Sequence, residues 1–346
     1  MRIVLLVIFV FSCFRSLAQD PQFSQYYNAP LLLNPALAGE TDCYRVGMNA
    51  RSQWTGLPGG SFSTASVFID MNYPDLRSGF GLLALYDVIG TPRMSSSEIS
   101  GFYSFLAPVN KLINFRFGLQ GTFVSRKLDY SRLIFEDQFT GIVVTKPSTQ
   151  DEVNNHNSVA YADVSSGVML FGEEVYWLGF SAHHLTRPQQ GFYLSSHLPI
   201  KYSLHGGLNL ETKKRYRSHV PTRIVPTFMY KSQGKFDQLD IGLYVIKAPV
   251  LLGLWYRGIP IKKDENIFNK DAINMQLGFE YNRFSFTYSY DITISRLMLK
   301  NTMGSHEISM IYLFCLDWPK RKKPARRVRK LPCPDFQRSL KYNGNF

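Results

Sequence analysis

A period-two alternation of apolar and polar residues, repeated in about 14 short segments, constrains this chain more than any other feature. In the clearest stretch, Leu277, Phe279 and Tyr281 alternate with Gly278, Glu280 and Asn282. After a break at Arg283, Phe284, Phe286, Tyr288, Tyr290 and Ile292 alternate with Ser285, Thr287, Ser289 and Asp291. Successive strand side chains point to opposite faces, so each segment carries one apolar and one polar face. A soluble sandwich uses the same pattern. Here, however, no helix-period region interrupts it and an export signal precedes it. The combination fits an all-β, transmembrane outer-membrane barrel of about 14 antiparallel strands better.

The export signal occupies residues 1–18. Arg2 supplies the positive charge, Ile3 to Phe14 the apolar stretch and Ser16-Leu17-Ala18 the small-residue cleavage pattern, so the mature chain is expected to begin near Gln19. The apolar run is too short to span a bilayer as a helix. Cys13 invites a lipoprotein reading, but Phe11 stands where that signal wants a small residue. No later stretch is long and charge-free enough for a transmembrane helix. Any membrane crossing therefore falls to strands.

Composition agrees. The chain is 14% aromatic, and its mean hydropathy of −0.13 is far below that of a helical membrane protein. A barrel hides its apolar band in alternate positions and looks soluble on average. Trp54, Tyr86, Tyr176, Trp177, Trp255 and Tyr256 near strand ends suit the aromatic girdles of the two membrane interfaces. Ordinary aromatics of a soluble β core are the competing reading.

Strands are expected at Tyr44 to Trp54, Ser61 to Met71, Gly79 to Ile89, Glu98 to Ala107, Asn114 to Lys127, Val159 to Phe171 and Val175 to His184. Further strands are expected at Lys201 to Glu211, Arg223 to Lys231, Leu239 to Ile246, Val250 to Gly258, Ala272 to Asn282, Arg283 to Ile292 and Ser305 to Leu316. Their number is even, as in bacterial barrels. Leu128 to Asn157, Thr186 to Pro199 and Lys262 to Asp271 are the candidate outside loops. The organisation is thus signal 1–18, an irregular periplasmic or plug-like segment 19–43, a barrel 44–316 and a basic tail 317–346.

Segment 19–43 is different in kind. Gln19 to Gly39 is too rich in Pro and Asn for a barrel strand, and Asn34-Pro35 and Ala38-Gly39 break any long helix. Its apolar residues Phe23, Tyr26, Tyr27, Leu31, Leu32 and Leu33 need covering, by the barrel lumen or by a partner. The string AQDPQFSQYYNAPLLLNPALAG, followed by Arg51-Ser52-Gln53-Trp54 and Ser63 to Asp70, resembles the opening of the PorP/SprF family of type IX secretion and gliding-motility outer-membrane proteins of Bacteroidota. The resemblance extends through the strands to Leu316. It implies a non-enzymatic outer-membrane component that supports export or surface anchoring of a secreted partner such as an adhesin. The implied partners are outer-membrane lipid, the cargo or its carboxyl-terminal domain, and periplasmic ring or peptidoglycan-associated proteins. Candidate partner contacts are Phe23, Tyr26, Tyr27, Asn34 and Pro35.

Charge concentrates at the other end. Lys320, Arg321, Lys322, Lys323, Arg326, Arg327, Arg329 and Lys330 supply much of the formal +13. In a cytoplasmic protein this run would indicate nuclear targeting or nucleic-acid binding; export removes that reading. Two remain: a solvated linker, or a periplasmic arm for an acidic partner or the cell wall, with Cys333 and Phe336 as its anchor. Family members similarly carry tails past the last strand, some closing on a Cys-Pro-x-Phe-like motif, matched here by Cys333 to Phe336.

Three cysteines remain after processing, an odd number for an oxidising compartment. Cys43 precedes the first strand and Cys315 closes the last, neighbours in a closed barrel, so that pair is one possible bridge; Cys333 on its tail is able to reach either. No metal-ligating spacing, phosphate loop or cofactor motif occurs. His183-His184 with Ser181 and Asp163 is reminiscent of a barrel lipase. Adjacent strand residues face opposite sides, so only His183 is expected to share the face of Ser181, and nothing orients a nucleophile. His205 is expected in the lumen, in phase with Lys201, Ser203 and Glu211. The alternatives to a secretion component are a FadL-like or porin-like solute channel and, third, an enzyme acting on lipid.

Overall fold

A computed structural model describes residues 20–57, 60–90, 94–109, 113–130, 133, 138–140, 143–144, 157–172, 175–192, 195–212, 221–258, 271–295 and 299–315. The signal segment, Gln19, and the basic tail with Lys320 to Lys330, Cys333 and Phe336 lie outside these residues.

Fourteen antiparallel strands form the wall. They are β1 Tyr44–Gln53, β2 Phe62–Tyr73, β3 Ser78–Ile89, β4 Met94–Pro108, β5 Ile113–Lys127, β6 Ser158–Gly172 and β7 Tyr176–His183, followed by β8 Lys201–Leu208, β9 Arg223–Gln233, β10 Phe236–Lys247, β11 Val250–Arg257, β12 Ala272–Tyr281, β13 Phe284–Thr293 and β14 Ser305–Phe314. Each pairs with its neighbours in sequence, and β1 pairs with β14 from Tyr44 opposite Phe314 to Gln53 opposite Ser305, closing the barrel. Closure satisfies every strand edge, the condition for a sheet to cross lipid. Among the described residues no helix is long and apolar enough to cross a membrane.

The burial pattern is the inverse of a soluble core. On β1, Arg45, Asn49 and Arg51 are buried while Val46 and Met48 are exposed; on β12, Gln276 and Glu280 are buried while Leu277 and Phe279 face out. An outward apolar band around a polar interior belongs to a barrel solvated by lipid. The protein is an outer-membrane β-barrel.

The two rims differ. Where β1 begins and β14 ends, Cys43 and Cys315 form a disulfide with Cα atoms 4.5 Å apart, resolving the cysteine alternatives in favour of that pair. This rim carries tight turns at Pro74–Leu76, Ala248-Pro249 and Asn282-Arg283 and one longer connection, 209–222. The opposite rim carries the long connections 128–157, 184–200 and 258–271. Tight turns on the terminal side face the periplasm and long loops face outward in outer-membrane barrels. They are the periplasmic and outer rims below.

Asn282 and Arg283, where a break between two strands is expected, form the turn between β12 and β13, with Asn282 in the left-handed region at φ 56°. One detail departs from expectation. Trp177 and Trp255, expected in the interfacial girdles, are each 2% exposed and face the lumen, and Leu178 and Leu254 take the outward positions beside them. The alternation fixes a face only relative to its neighbours. At these two positions the lumen is apolar, for the reason given next.

Candidate functional site

Inside the barrel lies the irregular segment. Its first described residue, Asp20, is at the outer rim, and the chain descends through the lumen to Gly39 and Cys43 at the periplasmic rim. Three short pieces, Tyr26–Asn28, Pro30–Leu33 and Pro35–Leu37, give it its shape. Prolines at the starts of the second and third cost no internal hydrogen bond and fix the entry angle. The Asn34 side chain accepts from the Ala36 amide at 2.9 Å and caps the last piece.

The upper part is seated by charge. Glu307 of β14 receives the amides of Ser24 (2.6 Å) and Gln25 (2.9 Å), and Ser24 Oγ donates to Asp291 of β13 at 2.7 Å. Arg51 donates to the Gln22 carbonyl at 2.6 Å and to Asp291 at 2.7 Å, so one guanidinium ties plug to wall. The Tyr26 hydroxyl donates to Asp240 and receives Arg257 at 3.1 Å, while the Lys231 ammonium lies 4.3 Å from its ring centroid. The Lys231 ammonium donates to the Gln22 side chain at 2.7 Å, and each of the other buried charges named here has an opposite partner, as desolvation requires.

The middle is seated by shape. Tyr26 packs edge-on against Trp255 at 5.4 Å and Tyr27 against Trp177 at 5.8 Å. These rings join Leu33, Leu37, Met169, Phe171 and Tyr244 in one buried cluster. A second cluster gathers Phe23, Leu31 and Ala38 against Phe68, Leu83 and Phe102 of the wall. The lumen is apolar where the plug is apolar, which places Trp177 and Trp255 inside. Burying each such side chain contributes about 1.5–3 kcal/mol. Wall glycines let the backbones meet: a side chain at Gly118 would collide with Pro35 and Ala36, and one at Gly167 with Asn34. Asn34 itself is fully buried and donates to the carbonyls of Val168 and Phe180, each at 3.2 Å.

The lower end closes on β2. Asp70 receives the Gly39 amide at 2.7 Å and both Nε and Nη2 of Arg45, at 2.9 and 3.0 Å. Ser104 donates to the Ala38 carbonyl at 2.7 Å and Arg116 to that of Gly39 at 3.1 Å. Plug and wall are thus bonded at every level.

At the outer rim His184, Lys201 and Gln233 converge on Asp20, at 2.8, 2.7 and 3.2 Å. His184 also contacts Asp163 at 2.8 Å. Burial alone would raise the Asp20 carboxyl, but the charges of Lys201 and His184 hold it well below its ordinary value. For His184 burial works against the charge and the carboxylates of Asp20 and Asp163 outweigh it, pushing the imidazole up to about 9. Expectation placed His184 on the face opposite that of Ser181 and His183. It lies just past β7 at φ 62°, and that left-handed turn swings its ring back over the lumen. The hydroxyl of Ser181 is spent on the Leu33 carbonyl at 3.0 Å. His205 is fully buried in the lumen, as its phase required.

Of the candidate partner residues, Phe23, Tyr26, Tyr27, Asn34 and Pro35 all lie in the lumen against the wall. The tail residues lie outside those described. Beside the plug, between Asp20, Pro21 and the inner faces of β3 to β6, a cavity of ≈ 100 Å³ remains at the outer rim. Among the described residues no cluster of histidine, cysteine or carboxylate side chains is placed to hold a metal.

The family model described as type IX secretion system membrane protein PorP/SprF matches residues 16–312 of the chain. No curated protein matches it. Among solved structures it is similar to a Pseudomonas aeruginosa FadL homologue, with 10% identity, TM-score 0.43 and coverage of 83% of this chain and 94% of the other. It is also similar to the Ralstonia pickettii toluene transporter TbuX, with 8% identity, TM-score 0.46 and coverage of 83% and 94%.

Proposed function

The chain belongs to the PorP/SprF family of type IX secretion system membrane proteins, and from that premise we propose that it supports export or surface anchoring of a secreted partner, without conducting solutes and without catalysing a reaction. The observation that carries this reading is the seated plug. Its two apolar clusters and its charged anchors tie the segment to the inner wall from Asp20 to Gly39. A solute channel needs a continuous wet path, and a segment held inside the barrel at both rims and in the middle favours a docking platform instead.

In this reading the outer loops meet the secreted partner or its carboxyl-terminal domain, and the tail reaches periplasmic ring or peptidoglycan-associated proteins. Contact of a partner with Phe23, Tyr26, Tyr27, Asn34 or Pro35 requires the segment to leave the lumen first. The dense like charge of Lys320 to Lys330 repels itself but attracts an acidic surface across about one Debye length, roughly 8 Å at physiological salt. Serine at these lysines and arginines should leave the barrel assembled and reduce its co-purification with the ring or cell-wall fraction.

The decisive test deletes residues 20–42 from the processed chain and follows secretion of the partner. Loss of secretion from cells whose truncated barrel still inserts supports the reading. Normal secretion through an inserted, truncated barrel rejects it.

A further inference from the structure

The cavity at the outer rim is short of one positive charge. Four carboxylates line it, Asp20, Asp87, Glu98 and Asp163, against the three cations Arg126, His184 and Lys201. Three of the carboxylates are engaged: Asp20 receives Lys201 and His184, Asp163 receives His184 and Thr186, and Asp87 receives Thr64 at 2.6 Å. Glu98 is different. It makes no hydrogen bond or ion pair among the described residues, and its cross-strand neighbours on the inner wall are the buried aliphatic side chains of Leu85 and Val124. Two further side chains along the cavity carry acceptors without a donor. Gln120, 8% exposed, donates through Nε2 to Ser100 at 3.3 Å and Thr122 at 2.9 Å and leaves Oε1 unpartnered. His183, 6% exposed, is hydrogen-bonded to the Leu33 carbonyl and leaves Nε2 unpartnered. A ring that donates through its other nitrogen keeps a lone pair at Nε2. Among the described residues no three metal-ligating side chains stand together, so the complement of these acceptors is a cation that carries its own N–H donors.

We propose that this cavity is a binding site for a primary ammonium group from outside the chain, with Glu98 as its counter-ion and Gln120 and His183 as further acceptors. An ammonium presents three donors and one positive charge, matching three acceptors of which one is anionic. The space is the right size. A cavity of about 150 Å³ holds benzene, so ≈ 100 Å³ takes a head group with a short carbon stem, against which Leu32, Leu85 and Val124 supply an apolar wall. Asp20 and Pro21 of the plug form one side of the cavity. A bound ammonium therefore rests against the seated plug, and by linkage a ligand that needs the plug in place also holds it there. A free amine and the lysine of a chain docked on the outer loops offer the same head group. The site stands whichever partner the barrel serves.

The test titrates ethylammonium chloride into the detergent-solubilised protein and follows binding by saturation-transfer nuclear magnetic resonance. Ethylammonium should bind saturably, and tetramethylammonium, with the same charge but no N–H, should fail to displace it. Glu98→Gln keeps the volume of the side chain and removes the charge. It should raise the half-saturating concentration about tenfold or more, the loss of one charged hydrogen bond, while heat-modifiable migration shows an intact barrel. Nα-acetyl-lysinamide separates the two sources. Displacement of ethylammonium by it supports the site as a seat for the lysine of another chain, and its exclusion supports the site as one for a free amine. Absence of saturable ethylammonium binding would overturn the proposal, the cavity then holding water alone. Equal displacement by tetramethylammonium, or an unchanged titration of Glu98→Gln, would overturn it as well.

Discussion

The imidazole of His184 lies 2.8 Å from Asp20 through Nε2 and 2.8 Å from Asp163 through Nδ1. A ring that meets a carboxylate at each nitrogen carries both protons, because carboxylates only accept. The plug is therefore latched to the outer rim by an imidazolium, with Lys201 as a second charge on the same carboxylate.

That latch gives the plug a pH window. The pKa of His184 is raised from 6.5 to about 9, so its contribution is complete below 6.5 and lost as pH rises through 9. Asp20 is held below its ordinary 3.8, so its contribution is complete above that value and lost as pH falls through the lower one. A nitroxide at a Pro21→Cys substitution, with Cys333 replaced, should be immobile from about pH 4 to 7 and loosen as pH passes 9. His184→Gln should abolish the alkaline transition and loosen the label at neutral pH, the lost charged hydrogen bonds costing about 2 kcal/mol locally. An unchanged alkaline transition in that variant would place the latch elsewhere.

The glycine seats should be intolerant. Gly118→Val forces a side chain into the backbone of Pro35 and Ala36, and Gly167→Val forces one into the buried side chain of Asn34. Overpacking of this kind costs about 1–3 kcal/mol or more, and the plug yields before the wall. Each variant should insert normally yet expose the bonds between Leu31 and Ala38 to added protease. Continued resistance would show that the segment does not pass there.

The Cys43–Cys315 bridge joins the first strand to the last over a sequence separation of 272 residues. In the chain-entropy view a loop of that length is worth about 5.6 kcal/mol. Replacing both cysteines with serine should lower the temperature of the heat-modifiable transition, while Cys333→Ser should not. A seam of equal stability without the bridge would mean that the β1–β14 ladder alone closes the barrel.

Much of the wall was legible in the sequence, because strand alternation is a local property and Leu277 to Tyr290 display it openly. The same rule failed at Trp177 and Trp255, where the inner face is apolar to match Tyr26 and Tyr27. That match joins residues about 150 and 230 positions apart in the chain and leaves no local trace. His184 was misplaced because its left-handed backbone ends the alternation at the point where alternation was being used. The need to cover Phe23 to Leu33 was readable from composition alone. That the lumen covers them, with Asp20 at the far rim, depends on wall residues such as Gly118, Asp240 and Glu307 whose partners only the closed barrel brings together.

Conductance in a planar bilayer tests the filled lumen most directly. The intact protein should insert without opening a steady pore, and the variant lacking residues 20–42 should open a stable pore of the size a 14-strand barrel encloses. Equal conductance from the two would contradict a lumen closed by its own amino-terminal segment.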